Sequence, residues 1–264
     1  AWDVILDVED ASVQCGYPIE HLHGDVHLVG TSWFGTFSSR RTARHCTLVG
    51  QDHLDRALAR GRGAIVLLAH FGSFLMPLPA LGHRGIKVVQ MAGRPLAEQK
   101  GPIYAWIQRK REQESDRLPV RFLLTDRYLG PAVRALRDNA ALVIAFDGRT
   151  GHRWVEVPLL RRTARISTGP FRLAQHSGAP ILPTFVVRQP DGSHHIVFEP
   201  ALEIGPGQDL ESPLRSFVAI FERYLAAHPD HFAMTLCTNR LETLAGLSHS
   251  LFVEEADAEN CRLA

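Results

Sequence analysis

Short, almost wholly apolar runs alternate along this chain with segments whose apolar residues recur every three or four positions. The runs are CTLVG (46–50), AIVLLA (64–69), IKVVQM (86–91), VRFLL (120–124), ALVIAF (141–146), PILPTFVVR (180–188) and HHIVFEP (194–200). Their β-branched and aliphatic content predicts strands, and runs with no polar face predict a sheet covered on both sides. Between them, DHLDRALARG (52–61) predicts a helix opened by Asp52 and closed by Gly61, and LGPAVRALRDN (129–139) a helix with Val133, Leu136 and Ala140 on one face. PLAEQKGPIYAWIQRKREQE (95–114) reads as a helix interrupted at Gly101-Pro102. SPLRSFVAIFERYLAAHP (212–229) is the clearest amphipathic helix, with Leu214, Phe217, Val218, Phe221 and Leu225 at helical spacing.

This alternation predicts an α/β protein: a single domain with a mixed, mostly parallel sheet flanked by helices. No internal repeat or long linker divides it. The expected organisation is an N-terminal helical segment (1–45), an α/β domain (46–246) and a tail (247–264) made acidic by residues 254, 255, 257 and 259.

Composition narrows the function class. In 264 residues, 45% are hydrophobic and 22% charged, as in ordinary globular proteins, and a net charge of +1 with a pI near 8.0 argues against a nucleic-acid partner. Lysine occurs only at 87, 100 and 110, so the basic charge is nearly all arginine, which suits phosphate or carboxylate recognition and equally follows from compositional bias. Cys15, Cys46, Cys237 and Cys261 have neither metal-finger nor redox spacing, and reduced thiols in the cytoplasm are expected. No apolar run reaches the ~18 residues of a membrane span, and no signal-peptide pattern is present, so at most peripheral contact with the inner membrane is expected.

Three stretches carry candidate chemistry. AHFGS places His70 and Gly72 at the end of the 64–69 run, and AFDGRTG places Asp147 and Arg149 at the end of the 141–146 run. In α/β sheets ligands gather at the carboxyl ends of strands, so these residues offer a base, an orienting acid and an anion contact. In RRTARISTGPFRLAQHSGAP, Ser167 or Thr168 can cap a helix with Pro170 in its first turn, preceded by Arg161, Arg162 and Arg165. A capped helix with solvated arginines and an anion site for a phosphate are both open readings of that stretch. In HLHGDVH, His21, His23, Asp25 and His27 alternate as a metal face would on a strand. On a helix only His23 and His27 are well spaced, and no metal site is expected.

The quoted stretches, taken in order, resemble the lysophospholipid acyltransferase superfamily, specifically the lipid A late acyltransferases that add lauroyl or myristoyl chains. LVGQDHLDRALARGRGAIVLLAHFGSF, GRP (93–95) with YAWIQRKRE, ALVIAFDGRTG, and VPLLRRTARISTGPFRLAQHSGAPILPTFVVRQPDGSHHIVFEP carry the resemblance from about Leu48 to Pro200, with a helical continuation to about residue 240. It implies transfer of an acyl group from a coenzyme A or acyl-carrier-protein thioester to a hydroxyl or amine of a small-molecule, peptide or lipid acceptor, with no cofactor. His70 falls on the family's catalytic histidine, while Gly72, Ser73 and Arg94 become substrate contacts by position. The backbone near Gly72 or a polar side chain would supply the oxyanion donor. Arg149, Arg161, Arg162, Ser167 and Thr168 become contacts for an anionic donor or acceptor.

Two departures shape the expectation. The family pattern has an acid five positions after the histidine, where this chain has Leu75, and the late basic block is replaced by FAMTLCTNR (232–240). No hydrophobic N-terminal anchor of the kind common among lipid A enzymes is expected from these residues. Either Asp147 orients His70, or a nucleophilic amine acceptor needs little base assistance, or the site is degenerate and the protein binds acyl groups or a carrier as a scaffold.

Overall fold

The computed structural model describes residues 38–92, 113, 116–124, 129–147, 153–232, 235–236 and 251–253. The His21 to His27 cluster, Arg94, Arg149, the acidic tail and the 95–114 stretch apart from Gln113 lie outside the described residues.

Nine strands and six helices are described: α1 (Ser39–His45), β1 (Cys46–Val49), α2 (Gln51–Ala59), β2 (Ala64–Leu68), α3 (Pro77–Gly82), β3 (Val88–Ala92), β4 (Val120–Leu124), α4 (Gly130–Arg137), β5 (Ala141–Ala145), β6 (Trp154–Leu159), β7 (Arg162–Ser167), α5 (Gly169–Ser177), β8 (Ile181–Arg188), β9 (His194–Phe198) and α6 (Glu211–Ala227). Seven strands form one sheet in the order β1-β9-β8-β2-β5-β3-β4. Strands β8, β2, β5, β3 and β4 are mutually parallel, β9 runs antiparallel to β8, and β1 follows β9. The chain is thus a single-domain α/β fold with a mostly parallel sheet flanked by helices.

Every residue of β2 is buried, because period-2 alternation sends its side chains into two cores. Ile65 and Leu67 face a core built with α4, α5 and α6, while Ala64, Val66 and Leu68 face one built with α2 and α3. Cys46 belongs to the second core, where burial pushes its thiol up to about 11 against the pull of Arg84. Such a thiol stays protonated and inert at neutral pH.

Two expectations are corrected. Asp52 does not cap α2: the cap is Gly50 in the left-handed region (φ 68°), where a Cβ would run into the Phe198 carbonyl oxygen, and Asp52 instead pairs with Arg56 at 2.8 Å. The stretch before α5, to which no strand was assigned from the sequence, is the hairpin β6–β7, in register from Trp154↔Ser167 to Leu159↔Arg162. Its two-residue turn, Leu160 (φ 51°) and Arg161 (φ 61°), has the positive φ pair of a type I′ turn without the Asn-Gly that announces one. The Leu160 N–H donates to Glu222 of α6 (2.7 Å), which helps hold that strained turn.

Candidate active site

Strands β2 and β5 pair residue for residue, Ala64↔Ala141 to Leu68↔Ala145, so their carboxyl ends release the chain side by side. Two residues beyond each strand lie His70 and Asp147. One carboxylate oxygen of Asp147 is 2.9 Å from His70 Nδ1, and the other accepts the backbone N–H of His70, also at 2.9 Å. An ionised carboxylate can only accept, so Nδ1 carries the ring proton and Nε2 is the basic nitrogen. The Asp147 side chain is 2% exposed and the His70 side chain 39%, which puts the acid inside and leaves the imidazole open to solvent on one side. The carboxylate that Leu75 does not provide therefore comes from the neighbouring strand. Leu75 itself packs against the second core, and the Phe74 ring meets the imidazole edge-on at 4.5 Å.

Buried phenylalanines anchor both members of the pair. Phe71, just after His70, and Phe146, just before Asp147, both contact Phe221 of α6, with centroids at 6.5 and 5.1 Å. Phe146 N–H also donates to Leu68 O (2.8 Å), fastening the two strand exits together.

Residues just after α6 grip the other side of the histidine loop. Thr235 Oγ1 donates to the carbonyl of His70, and the carbonyl of His231 accepts the N–H of Gly72 at 2.8 Å. The His231 ring lies 5.1 Å from Phe71, and its Nε2 accepts the backbone N–H of Arg188 (3.0 Å). Gly72 sits at φ 55°, and a Cβ there would strike the Val186 carbonyl oxygen and come within 2.8 Å of His231. Nearby His228 has its pKa lowered by burial and by His231, with Asp230 opposing.

This geometry reassigns several residues named from the sequence. The Gly72 amide is taken by His231, so the glycine is required by packing and its N–H does not serve as an oxyanion donor. Ser73 is 1% exposed and its hydroxyl lies 2.9 Å from His194 Nε2, which makes it a link between the loop and β9 in place of a surface contact. Arg161 and Arg162 do not gather with Ser167 and Thr168: they lie at opposite ends of six-residue β7, on the order of 17–20 Å apart at strand rise. Arg162 stacks over Phe252 (4.6 Å), and Arg165 pairs with Glu156 (3.4 Å). Thr168 is the α5 cap residue but makes no side-chain capping bond; its hydroxyl donates to Arg153 O (3.4 Å), and Ser167 Oγ accepts the Gly169 N–H (3.4 Å). Both side chains are buried and turned to the fold. Among the described residues no three potential metal ligands converge.

Sequence reasoning passed over His231 and Thr235. The available signal was a threonine between apolar Phe232 and Leu236, both buried, within the stretch that had been noted only as a departure.

The chain is similar in sequence to known acyltransferases. The chain is 28% identical over 232 residues to phosphatidylinositol mannoside acyltransferase of Mycobacterium tuberculosis, an alignment covering 81% of this chain and 66% of that protein. It is 26% identical over 208 residues to the lipid A biosynthesis lauroyltransferase of Escherichia coli, covering 77% and 64%. The chain thus spans slightly less than two thirds of either relative's length. Residues 26–239 match the model of the bacterial lipid A biosynthesis acyltransferases, a span that includes both strand exits and the gripping segment after α6. By that match the chain belongs to the bacterial lipid A biosynthesis acyltransferase family.

Proposed function

We propose that this protein is an acyltransferase that moves an acyl group from a coenzyme A or acyl-carrier-protein thioester to a hydroxyl or amine of a lipid acceptor. The observation that carries the reading is the His70–Asp147 pair: a buried carboxylate fixing one ring nitrogen of a half-open imidazole. His70 Nε2 removes the acceptor proton as its oxygen or nitrogen attacks the thioester carbonyl. Asp147 stabilises the imidazolium so formed. The tetrahedral intermediate then collapses, the C–S bond breaks, and the imidazolium returns its proton to the departing sulfur. No acyl-enzyme is needed.

A lipid acceptor is preferred over the peptide and small-molecule alternatives because both relatives are acyltransferases named for lipids. The same reading puts the enzyme at the cytoplasmic face of the inner membrane, where a lipid acceptor would be met; among the described residues no helix is long and apolar enough to cross a membrane. The degenerate-scaffold alternative finds no support in a loop this fully bonded around its histidine.

The test is thiol release from a panel of acyl-coenzyme A and acyl-carrier thioesters, with and without lipid acceptors, in the native protein and His70→Ala. Acceptor-dependent release that vanishes in the variant supports the reading. Intact thioester binding with no release across the panel would overturn it in favour of a binding subunit.

A further inference from the structure

A second feature lies away from the His70–Asp147 pair. Helices α4 and α5 pack side by side, and a cavity of about 550 Å³ opens between them, within the size range of small-ligand sites. Val133 and Leu173 form part of its apolar lining, and Leu129 closes the end at which α4 begins. Among the described residues its charged rim is basic: Arg134, Arg137 and Arg172, with the His176 imidazole beside them and no carboxylate in the lining. Among the described residues none of the three guanidiniums makes an ion pair or a hydrogen bond. Arg134 and Arg137 lie three apart on one exposed helix face, where like charges repel, and Asp138 at the end of the helix makes no ion pair with either among the described residues.

Exposed leucines stand at the same end. Leu124 closes β4 at 61% exposure and Leu129 precedes α4 at 42%; with Val49 they are the exposed large hydrophobics among the described residues. Arginine forks match phosphate oxygens, and basic groups beside exposed aliphatic side chains suit the boundary between headgroups and acyl chains. A soluble phosphate ester would use the arginines and leave the two leucines without a role.

We propose that the α4–α5 groove binds the phosphate headgroup of an anionic phospholipid, with Leu129 and Leu124 entering the apolar layer of the same leaflet. Arg134, Arg137 and Arg172 supply the charge, and the groove's apolar lining receives the upper part of the chains. This site does not depend on the acyl-transfer reading: it would seat the protein on a membrane whether or not His70 acts as a base.

The experiment is co-sedimentation with phosphatidylcholine vesicles, with and without phosphatidylglycerol, at one ionic strength. The native chain, His70→Ala, Leu129→Ser and the triple variant Arg134→Gln/Arg137→Gln/Arg172→Gln are compared; all the replaced groove residues are exposed, and glutamine keeps helix propensity. The native chain and His70→Ala should bind equally and prefer phosphatidylglycerol. The triple variant should lose on the order of 100-fold in partitioning, and Leu129→Ser about tenfold. Native and triple variant partitioning alike, or no preference for phosphatidylglycerol, would overturn the proposal. So would calorimetric binding of glycerol 3-phosphate as tight as that of vesicles and lost in the triple variant, which would assign the groove to a soluble phosphate ester. Failure of acyl transfer in the thiol assay would leave the vesicle result standing, so the two readings fall separately.

Discussion

Replacing Asp147 by asparagine separates the chemistry of the pair from its structural role. The carboxylate accepts two N–H groups, one from the imidazole and one from the His70 backbone, in a site where its side chain is 2% exposed. An asparagine amide offers one oxygen and one NH2 group to the same two partners. Turning the NH2 group to the backbone would bury two donors against each other, at a cost of about 1–3 kcal/mol. Turning it to the ring avoids that clash, because an imidazole can change tautomer and a peptide N–H cannot. The ring proton then moves to Nε2, where the base must be empty to work. The same inversion in a serine-protease triad costs about 10⁴ in rate, so acceptor-dependent thiol release should fall by about 10³ to 10⁴, or roughly 4–5.5 kcal/mol of barrier. Stability should fall far less, by about 1–2 kcal/mol, as one charge-assisted bond becomes neutral. The assay is thiol release under saturating acceptor, alongside urea unfolding and the double variant with His70→Ala. Two groups acting as a unit are non-additive, so the double variant should be no slower than His70→Ala alone. A loss below tenfold in Asp147→Asn, or multiplicative losses in the double variant, would refute the orienting role.

Leu75→Asp restores an acid at the position expected for the family, but Nδ1 already has its partner; thiol release should not rise, and urea unfolding should show about 1–3 kcal/mol lost from setting a carboxylate against the second core. Thr235→Val removes the hydroxyl that holds the His70 carbonyl and should lower kcat about tenfold by loosening the ring's placement, with KM for the thioester unchanged and the rate recovered in Thr235→Ser; an unaltered kcat in the valine variant would make that bond structural only. The folded state holds the His228 pKa below its ordinary value, so the unfolded chain binds more protons there: the associated stability is present above pH ~6.5 and lost as pH falls through the folded pKa. Urea midpoints measured from pH 7.5 to 5 should fall less steeply in His228→Gln than in the native chain, and parallel slopes would remove His228 as a contributor.

The parts legible in the sequence were those whose reason for existing is local. Runs such as AIVLLA and ALVIAF are apolar on both faces because β2 and β5 sit in the middle of the sheet, and that same centrality brings His70 and Asp147 together. The hairpin was hidden because β6 and β7 carry charges on their outer face and turn at Leu-Arg, where only tertiary contacts such as Glu222 uphold positive φ. The arginines and the capping residues, taken together in the sequence, are separated by the length of β7, since residues close in sequence move apart once they form a strand. Gly72 was read as a substrate contact by position, yet the space left by its missing Cβ is taken up by Val186 and His231. The grip of His231 and Thr235 could not be read from spacing, since it joins positions whose neighbourhood exists only in the folded chain.

That grip has a consequence for the order in which the molecule becomes competent. Thr235 lies 165 residues after the carbonyl that it holds, whereas all nine described strands and α6 precede His231. Long-range contacts of this kind close late, after shorter loops have formed. During synthesis the sheet can assemble and bring Asp147 to His70 while the far side of the loop is still ungripped. A chain ending before His231 would then lack the grip on its histidine loop, and with it the buried Phe232 and Leu236 side chains that the first core receives from the same segment. Under the proposed function, the histidine loop is completed by nearly the last described part of the chain, so that partial products would lack a fully held base.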